Sequence, residues 1–451
     1  MDVTRRRIMG LFSASATALM CERAAARAAP SSGRDAGQFG IKPNSPDDQT
    51  IPLQRAIHAA AATGTPLVLR PGIYRTGELD LPGGAQIAGA RGATRLKFTG
   101  SGAAIFSASG ADGLNLTGLV LDGGGAPLPE RRGLISFQAC RDLHIGDCEI
   151  LGSGRNAIRL EVCSGGIRNT IMRRTKATAI VSVDALGLLI AQNVIQDAAQ
   201  NGIEIVRTAP GDDGTIVVDN RIENIKAGPG GTGQYGNAIN AYRAGNVIVR
   251  GNRIRDCDYS GVRGNSASNI QIAANTITDA REVAIYSEFA FEGAIIANNV
   301  VDTCSTGISV ANFNEGGRLA IVQGNIVRNT KTRHYPGSDT VHGGVGIYVE
   351  ADSNVTGNVI ENAPVCGINA GWGKYLRDVN IANNIIRDAF VGIAISAADG
   401  TGKTLVNGNL ISNAPRGAIV GYDHDKPVTG DLAVVGASGF PKIVLGLNTV
   451  Q

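Results

Sequence analysis

The chain is poor in aromatic residues: they fill 4% of 451 positions, with a single Trp. That shortage argues against a core built around large rings and for short strands packed through aliphatics. There are only five His and seven Cys, and none group at zinc-site spacing. No run of 18 apolar residues occurs, so no membrane-spanning helix is expected. Nor is one sign of charge in real excess. Five basic residues (Arg5, Arg6, Arg7, Arg23, Arg27) and two acidic ones (Asp2, Glu22) lie in 1–28, which takes the 42 basic and 39 acidic residues of the whole chain to 37 of each. A balanced remainder carries no nucleic-acid footprint, and no nucleic-acid partner is expected.

What is plentiful is Gly, at 61 residues, together with Asn and Ile at regular spacing. The clearest unit is Val379 to Ser396, VNIANNIIRDAFVGIAIS. Its Asn recurs at Asn169, Asn193, Asn220, Asn252, Asn275, Asn299, Asn325, Asn358, Asn384 and Asn409. Its aliphatic after a small residue recurs at Ile158, Ile180, Ile203, Ile239, Val262, Ile285, Ile308, Ile347, Ile368, Ile393 and Ile419. Successive differences in this second series are 22, 23, 36, 23, 23, 23, 39, 21, 25 and 26. A near-constant period of this size marks a stack of repeats sharing one continuous core. The length prior of about three domains gives way to it.

Thr4-Arg5-Arg6-Arg7, a mildly apolar run from Leu11 to Met20 and Ala26-Arg27-Ala28 read as a signal peptide over 1–28, of a kind that resembles the twin-arginine export type. Periplasmic or secreted localisation and contact with that export machinery follow as expectations. Residues 29–50 are rich in Pro, Ser, Gly and Asp and read as a linker. Pro52 to Ala60 reads as a short amphipathic helix with Leu53, Ile57 and Ala60 on one face. Short strands follow at Leu67–Leu69, Ile73-Tyr74, Leu79–Leu81, Ala85–Ile87 and Leu96–Phe98. The N-terminal cap and first turns occupy 51–110, the repeats 111–427, and a C-terminal cap that loses the repeat 428–451.

Phe39-Gly40-Ile41, the helix with Gln54 and Ala56, and Leu69-Arg70-Pro71-Gly72-Ile73-Tyr74 resemble the opening of pectate-lyase-type right-handed parallel β-helix proteins. With the arginine leader and the Asn-x-Ile repeats, nearly the whole chain resembles a family of twin-arginine-translocated repeat proteins of unestablished function. The resemblance implies an all-β fold: a single-stranded right-handed parallel β-helix whose short N-terminal helix caps the open strand edges.

The recurrent Asn is expected to be structural. It tolerates the left-handed turn conformation and can bond to its equivalents along the axis. Cys257 and Cys304 share a repeat position with Ala198 and Ala280 and read as small stack residues. At about 9–10 Å they stand too far apart for a disulfide. Pairing of Cys140, Cys148, Cys163 and Cys366 stays open, with free thiols favoured.

The intervals of 36 and 39 hold two insertions, Lys226–Gly236 and Lys331–Gly344. They are expected as loops about 19 Å apart, walling a cleft floored by the strands at Val262, Ile285 and Ile308. Alternation sends Asn240, Tyr242, Arg263, Asn265, Tyr286, Glu288, Ser309, Tyr348 and Glu350 outward. Arg159, Glu161 and Glu204 extend the face one way, Asn369 and Trp372 the other. Such side chains suit sugar hydroxyls and ring faces, although any solvated sheet needs polar residues.

Two chemistries compete. Glu288 and Glu350, two turns apart, would suit inverting glycoside hydrolysis as acid and base. Alternatively Arg263 would neutralise a uronate while Tyr286, Tyr348 or a loop histidine, His334 or His342, moves a proton, as in a lyase or epimerase. Tyr422-Asp423-His424-Asp425 is polar but sits away from the cleft. Asp212-Asp213 would suit calcium, yet two loop carboxylates are more often a turn, so no cofactor or metal is expected. The expected function is binding, with cleavage or epimerisation as a further step, of a polysaccharide or oligosaccharide. The alternative is a non-catalytic envelope scaffold or adhesin.

Overall fold

The computed structural model describes residues 33–334 and 339–451; the expected leader over 1–28 lies outside them. The chain winds as a solenoid of parallel ladders. One sheet has 16 strands, running from Arg34–Asp35 through Leu67–Val68 and Gln86–Ala88 to Ile443–Leu445. Two further ladders are joined where single strands, Val359–Ala370 and Ile385–Ser396, run on through the corner between them. Each turn therefore contributes about three short strands, with Ile, Val and Leu inward.

The aliphatic series holds without a break. Ile158, Ile180, Ile203, Ile239, Val262, Ile285, Ile308, Ile347, Ile368, Ile393 and Ile419 pair in sequence and are fully buried. Gly202, Gly261, Gly307, Gly346, Gly367 and Gly392 precede members of this row. At Gly307 a Cβ would stand 2.4 Å from the Gly346 carbonyl oxygen and 2.3 Å from Val327. That close approach is why a small residue opens the strand.

The asparagine ladder is a hydrogen-bonded column. Each Oδ1 from Asn220 to Asn448 accepts from the Nδ2 of the Asn one turn before, at 2.9–3.0 Å. Two expectations change here. Asn169 is exposed and outside the column, whose first place is taken by Thr170, its backbone N–H donating to Asn193 Oδ1 at 3.0 Å. The left-handed residues are those just before the column, among them Gln192, Asp219, Ala274 and Asn383, and not its members. The column needs inward amides, while the bend falls one residue earlier.

Residues 33–50 are not a linker. Arg34–Asp35 starts the large sheet, Ala36 and Ile41 are buried, and the Gln49 side chain bonds both backbone groups of Lys42. The helix Thr50–Ala61 buries Leu53, Ala56, Ile57 and Ala60 over the open end. No break falls at 110–111, because Gln86–Ala88 already pairs with Asn115–Thr117. At the far end the repeat resumes. After Lys426–Asp431 folds back antiparallel, Ile443–Leu445 and Thr449–Val450 rejoin two ladders, and Asn448 extends the column.

Candidate functional site

The candidate face is the outer side of the ladder whose inner side is the Ile158–Ile419 row. Alternation along each strand puts one side chain per turn in a single outward column: Glu204, Asn240, Arg263, Tyr286, Ser309, Tyr348, Asn369. A second column, two residues on, holds Tyr242, Asn265 and Glu288 in register. Tyr242 lies under the Arg243 guanidinium, 4.8 Å from its ring centre.

These outward side chains are not simply solvated. Arg263 is 7% exposed and Glu288 2%. Arg263 Nε donates to Glu288 Oε1 at 2.6 Å, and Nη1 to Glu282 Oε2 at 3.1 Å and to the Gly233 carbonyl at 2.9 Å. Its guanidinium lies 5.2 Å from the Tyr286 ring centre. Asn265 Nδ2 adds a bond to Glu288 Oε1 at 2.9 Å, and Ser260 Oγ one to Glu282 Oε2 at 2.8 Å. Burial pushes the Glu282 carboxyl up, and Arg263 opposes this.

The first long loop therefore lies on the floor and does not stand off as a wall. Tyr259 Oη donates to the Gly231 carbonyl at 2.6 Å, and Asn201 Nδ2 to the Gln234 carbonyl at 3.0 Å. Gly233, at φ 116°, has room for no side chain, since a Cβ would fall 2.0 Å from Arg263 Nη1. The second insertion is a hairpin, Thr332–His334 against Val341–Gly343. His334 and His342 are exposed on it.

Glu350 sits two turns from Glu288. Its Oε2 accepts from the Phe313 backbone N–H at 2.6 Å, and its Oε1 from Tyr348 Oη at 2.5 Å. Burial raises the Glu350 carboxyl, and burial with the Glu350 charge raises the Tyr348 phenol. Glu204 is raised by burial as well. Asn240 is buried with its Oδ1 unpartnered, and Ser309, three turns along the same column, is buried as well. Trp372 lies off the column, 45% exposed, edge-on to His424 at 5.4 Å; His424 Nδ1 bonds Asp423 at 2.8 Å.

The structure thus brings most of the expected residues onto one face but alters their roles. Arg263 has its charge met by two carboxylates and is not held ready for a uronate. Tyr348, raised and donating to Glu350, is a proton holder and a poor base. Glu282, the contact of Gly233 with Arg263, and the Asn312–Gly317 loop that carries Phe313 were not expected at the site. A Glu at the turn before an apolar strand reads as ordinary turn chemistry. The 39-residue interval hid two insertions, of which only the second was located.

A family model described as right handed beta helix region matches residues 210–377, which carry most of this floor. The chain is a right-handed parallel β-helix. Solved structures similar to it include the surface adhesin PfbA of Streptococcus pneumoniae, at 13% identity and TM-score 0.48, covering 88% of this chain and 95% of that chain. The A-module of the Azotobacter vinelandii mannuronan C-5 epimerase AlgE6 aligns at 14% identity and TM-score 0.44, covering 92% and 99%. A Yersinia enterocolitica family 28 exopolygalacturonase aligns at 12% identity and TM-score 0.49, covering 83% and 77%. At these identities the likeness concerns the fold alone. No curated protein matches the chain.

Proposed function

We propose that the chain binds a polysaccharide along the outward column from Asn240 to Asn369, and that it binds without turning its ligand over. One observation carries this reading. Polar side chains that alternation directs outward, Asn240 and Ser309 among them, are buried, so the face is not an ordinary wetted sheet. Half-buried Tyr286 and Tyr348 supply amphipathic rings at the strand spacing, about 9–10 Å apart over two turns. Floors with rings and a few fixed polar groups are how small-molecule and sugar sites are usually built.

Binding without turnover follows from the partners of the two expected catalytic carboxylates. Glu288 is held by Arg263 and Asn265, and Glu350 by Tyr348 and the Phe313 amide. A rigid rod with such a face also serves as a surface scaffold, which unites the two expectations. The test is affinity electrophoresis and calorimetry of the full chain on a glycan panel. Tyr286→Ala and Tyr348→Ala should each weaken binding about tenfold or more, measured below each variant's own melting transition because Tyr348→Ala also strips Glu350 Oε1 of its donor. New reducing ends or ultraviolet-absorbing unsaturated products would overturn the absence of turnover.

A further inference from the structure

We infer that the face selects glycans without acidic groups, neutral or amino-sugar chains, and rejects polyuronates; this rests on the binding reading above. The argument is one of charge placement. The outward column has one cation, Arg263, and it is spoken for on two sides by Glu282 and Glu288. Two carboxyls in this cluster therefore stand against one guanidinium. Glu350 and Glu204 add carboxyls further along the same face, and no second cation stands in the column between Glu204 and Asn369.

Four cations on the flanks are committed elsewhere, while Arg243 lies over Tyr242 and bonds the Thr208 carbonyl at 3.2 Å. Lys226 Nζ lies 3.0 Å from Asp256 and 3.7 Å from Asp258. Arg333 reaches Asp279 at 3.0 Å, and Arg377 pairs with Asp352 at 2.5 Å while covering the Phe313 ring at 4.5 Å. Arg159 at the near end of the face meets Glu161 at 3.3 Å.

A polyuronate docked here would bring one carboxylate per sugar against buried carboxyls. Taking those carboxylates out of water costs free energy that the column's one cation, already paired with two carboxyls, does not offset. The open hydrogen-bond capacity has the opposite character. Asn240 Oδ1 is an unpartnered but buried acceptor, so a donor such as a sugar hydroxyl or an N–H reaches it only by displacing what covers it. Burial raises Glu204 and Glu350, consistent with a floor that already resists negative charge.

The test uses the full chain and four probes: xylan, a mixed-linkage glucan, chitosan oligosaccharide and polygalacturonate, with alginate as a second polyuronate. Binding to a neutral glycan or to chitosan, at least tenfold tighter than to either polyuronate, is the expected result. Affinity that falls steeply with added salt would assign the amino-sugar arm, and salt-insensitive affinity the neutral arm. Glu350→Gln, which removes a carboxyl and keeps the side-chain shape, should narrow the gap to the polyuronates. Tight polyuronate binding overturns this inference and leaves the binding reading standing. Binding to none of the probes, with the chain folded by circular dichroism, overturns both.

Discussion

Arg263 and Glu288 face each other one turn apart on the same sheet, Nε to Oε1 at 2.6 Å, and both are almost wholly buried. The pair does not stand alone: Glu282 takes a second guanidinium nitrogen and the Gly233 carbonyl is a further acceptor. A residue that reads in sequence as an outward-facing ligand group is therefore a strut between the floor and the first long loop.

Replacing Arg263 by Ala leaves two carboxylates buried without their cation. Breaking a buried pair in this way costs about 3–5 kcal/mol. Arg263→Lys should recover only part of that, because one ammonium cannot reproduce the two-pronged contact. Thermal and urea unfolding of both variants measures this, and limited proteolysis should cut first within 226–236. A wild-type melting temperature for Arg263→Ala would mean that the strut bears no weight.

The asparagine column gives a second contrast. Asn299 Oδ1 accepts from both the backbone N–H and Nδ2 of Asn275, and its own Nδ2 donates to the Ile272 carbonyl and Asn325 Oδ1. Asn299→Ala strands buried donors and acceptors at about 1–3 kcal/mol each. Asn169→Gly, at an exposed residue with φ 50°, should be close to neutral. Equal losses of stability in the two variants would contradict the placement of Asn169 outside the column.

This contrast shows what was legible from sequence. The period of Ile158 to Ile419 reports a stacking constraint that every turn must meet, so fold, register and inward row could be read directly. Asn169 was misplaced by one residue because Thr170 fills its slot, and a mixed ladder hides its own phase. The repeat phase of 428–451 is hidden because the Lys426–Asp431 fold-back interrupts the spacing before Asn448. The site was half legible: alternation gives direction, yet whether an outward side chain meets water or a loop depends on contacts distant in sequence. Gly233 over Arg263 and the Phe313 amide on Glu350 are such contacts.

Acidity provides a third test. Burial pushes the Glu204 carboxyl above its ordinary 4.5. Between that value and the raised one, the folded chain keeps a proton that the unfolded chain has released. Stability therefore falls as pH rises through this window, and the contribution is whole only below it. Glu204→Gln has no such proton to lose. Melting curves of the two proteins from about pH 4 to about pH 8 should diverge, with the wild type losing ground as pH rises. A constant separation would show that Glu204 is not raised.

The last prediction concerns Cys140 and Cys163. Gln138 and Glu161 are register partners, and each cysteine follows its partner by two residues and bonds that residue's carbonyl, at 3.2 and 3.3 Å. The two thiols therefore occupy one position in adjacent turns, with Cα atoms about 4.8 Å apart by the strand spacing, inside the range of about 4.4–6.8 Å that a disulfide spans. Interaction with the neighbouring Cys163 thiol lowers the Cys140 thiol, whereas burial pushes Cys148, Cys304 and Cys366 up to about 12. Thiolate character and access decide which cysteine reacts, and both thiols are buried, so the oxidant reaches them as the turns open locally. With diamide, the Cys140 thiolate adds to the azo bond and the Cys163 sulfur displaces the resulting hydrazine. One S–S bond forms as two electrons and two protons pass to the oxidant. The intact mass should fall by two hydrogens, and alkylation after denaturation should count two fewer thiols. Cys163→Ser should abolish both changes and Cys148→Ser neither. If the mass is unchanged by diamide, or if Cys148→Ser is the variant that blocks the reaction, the pairing is wrong.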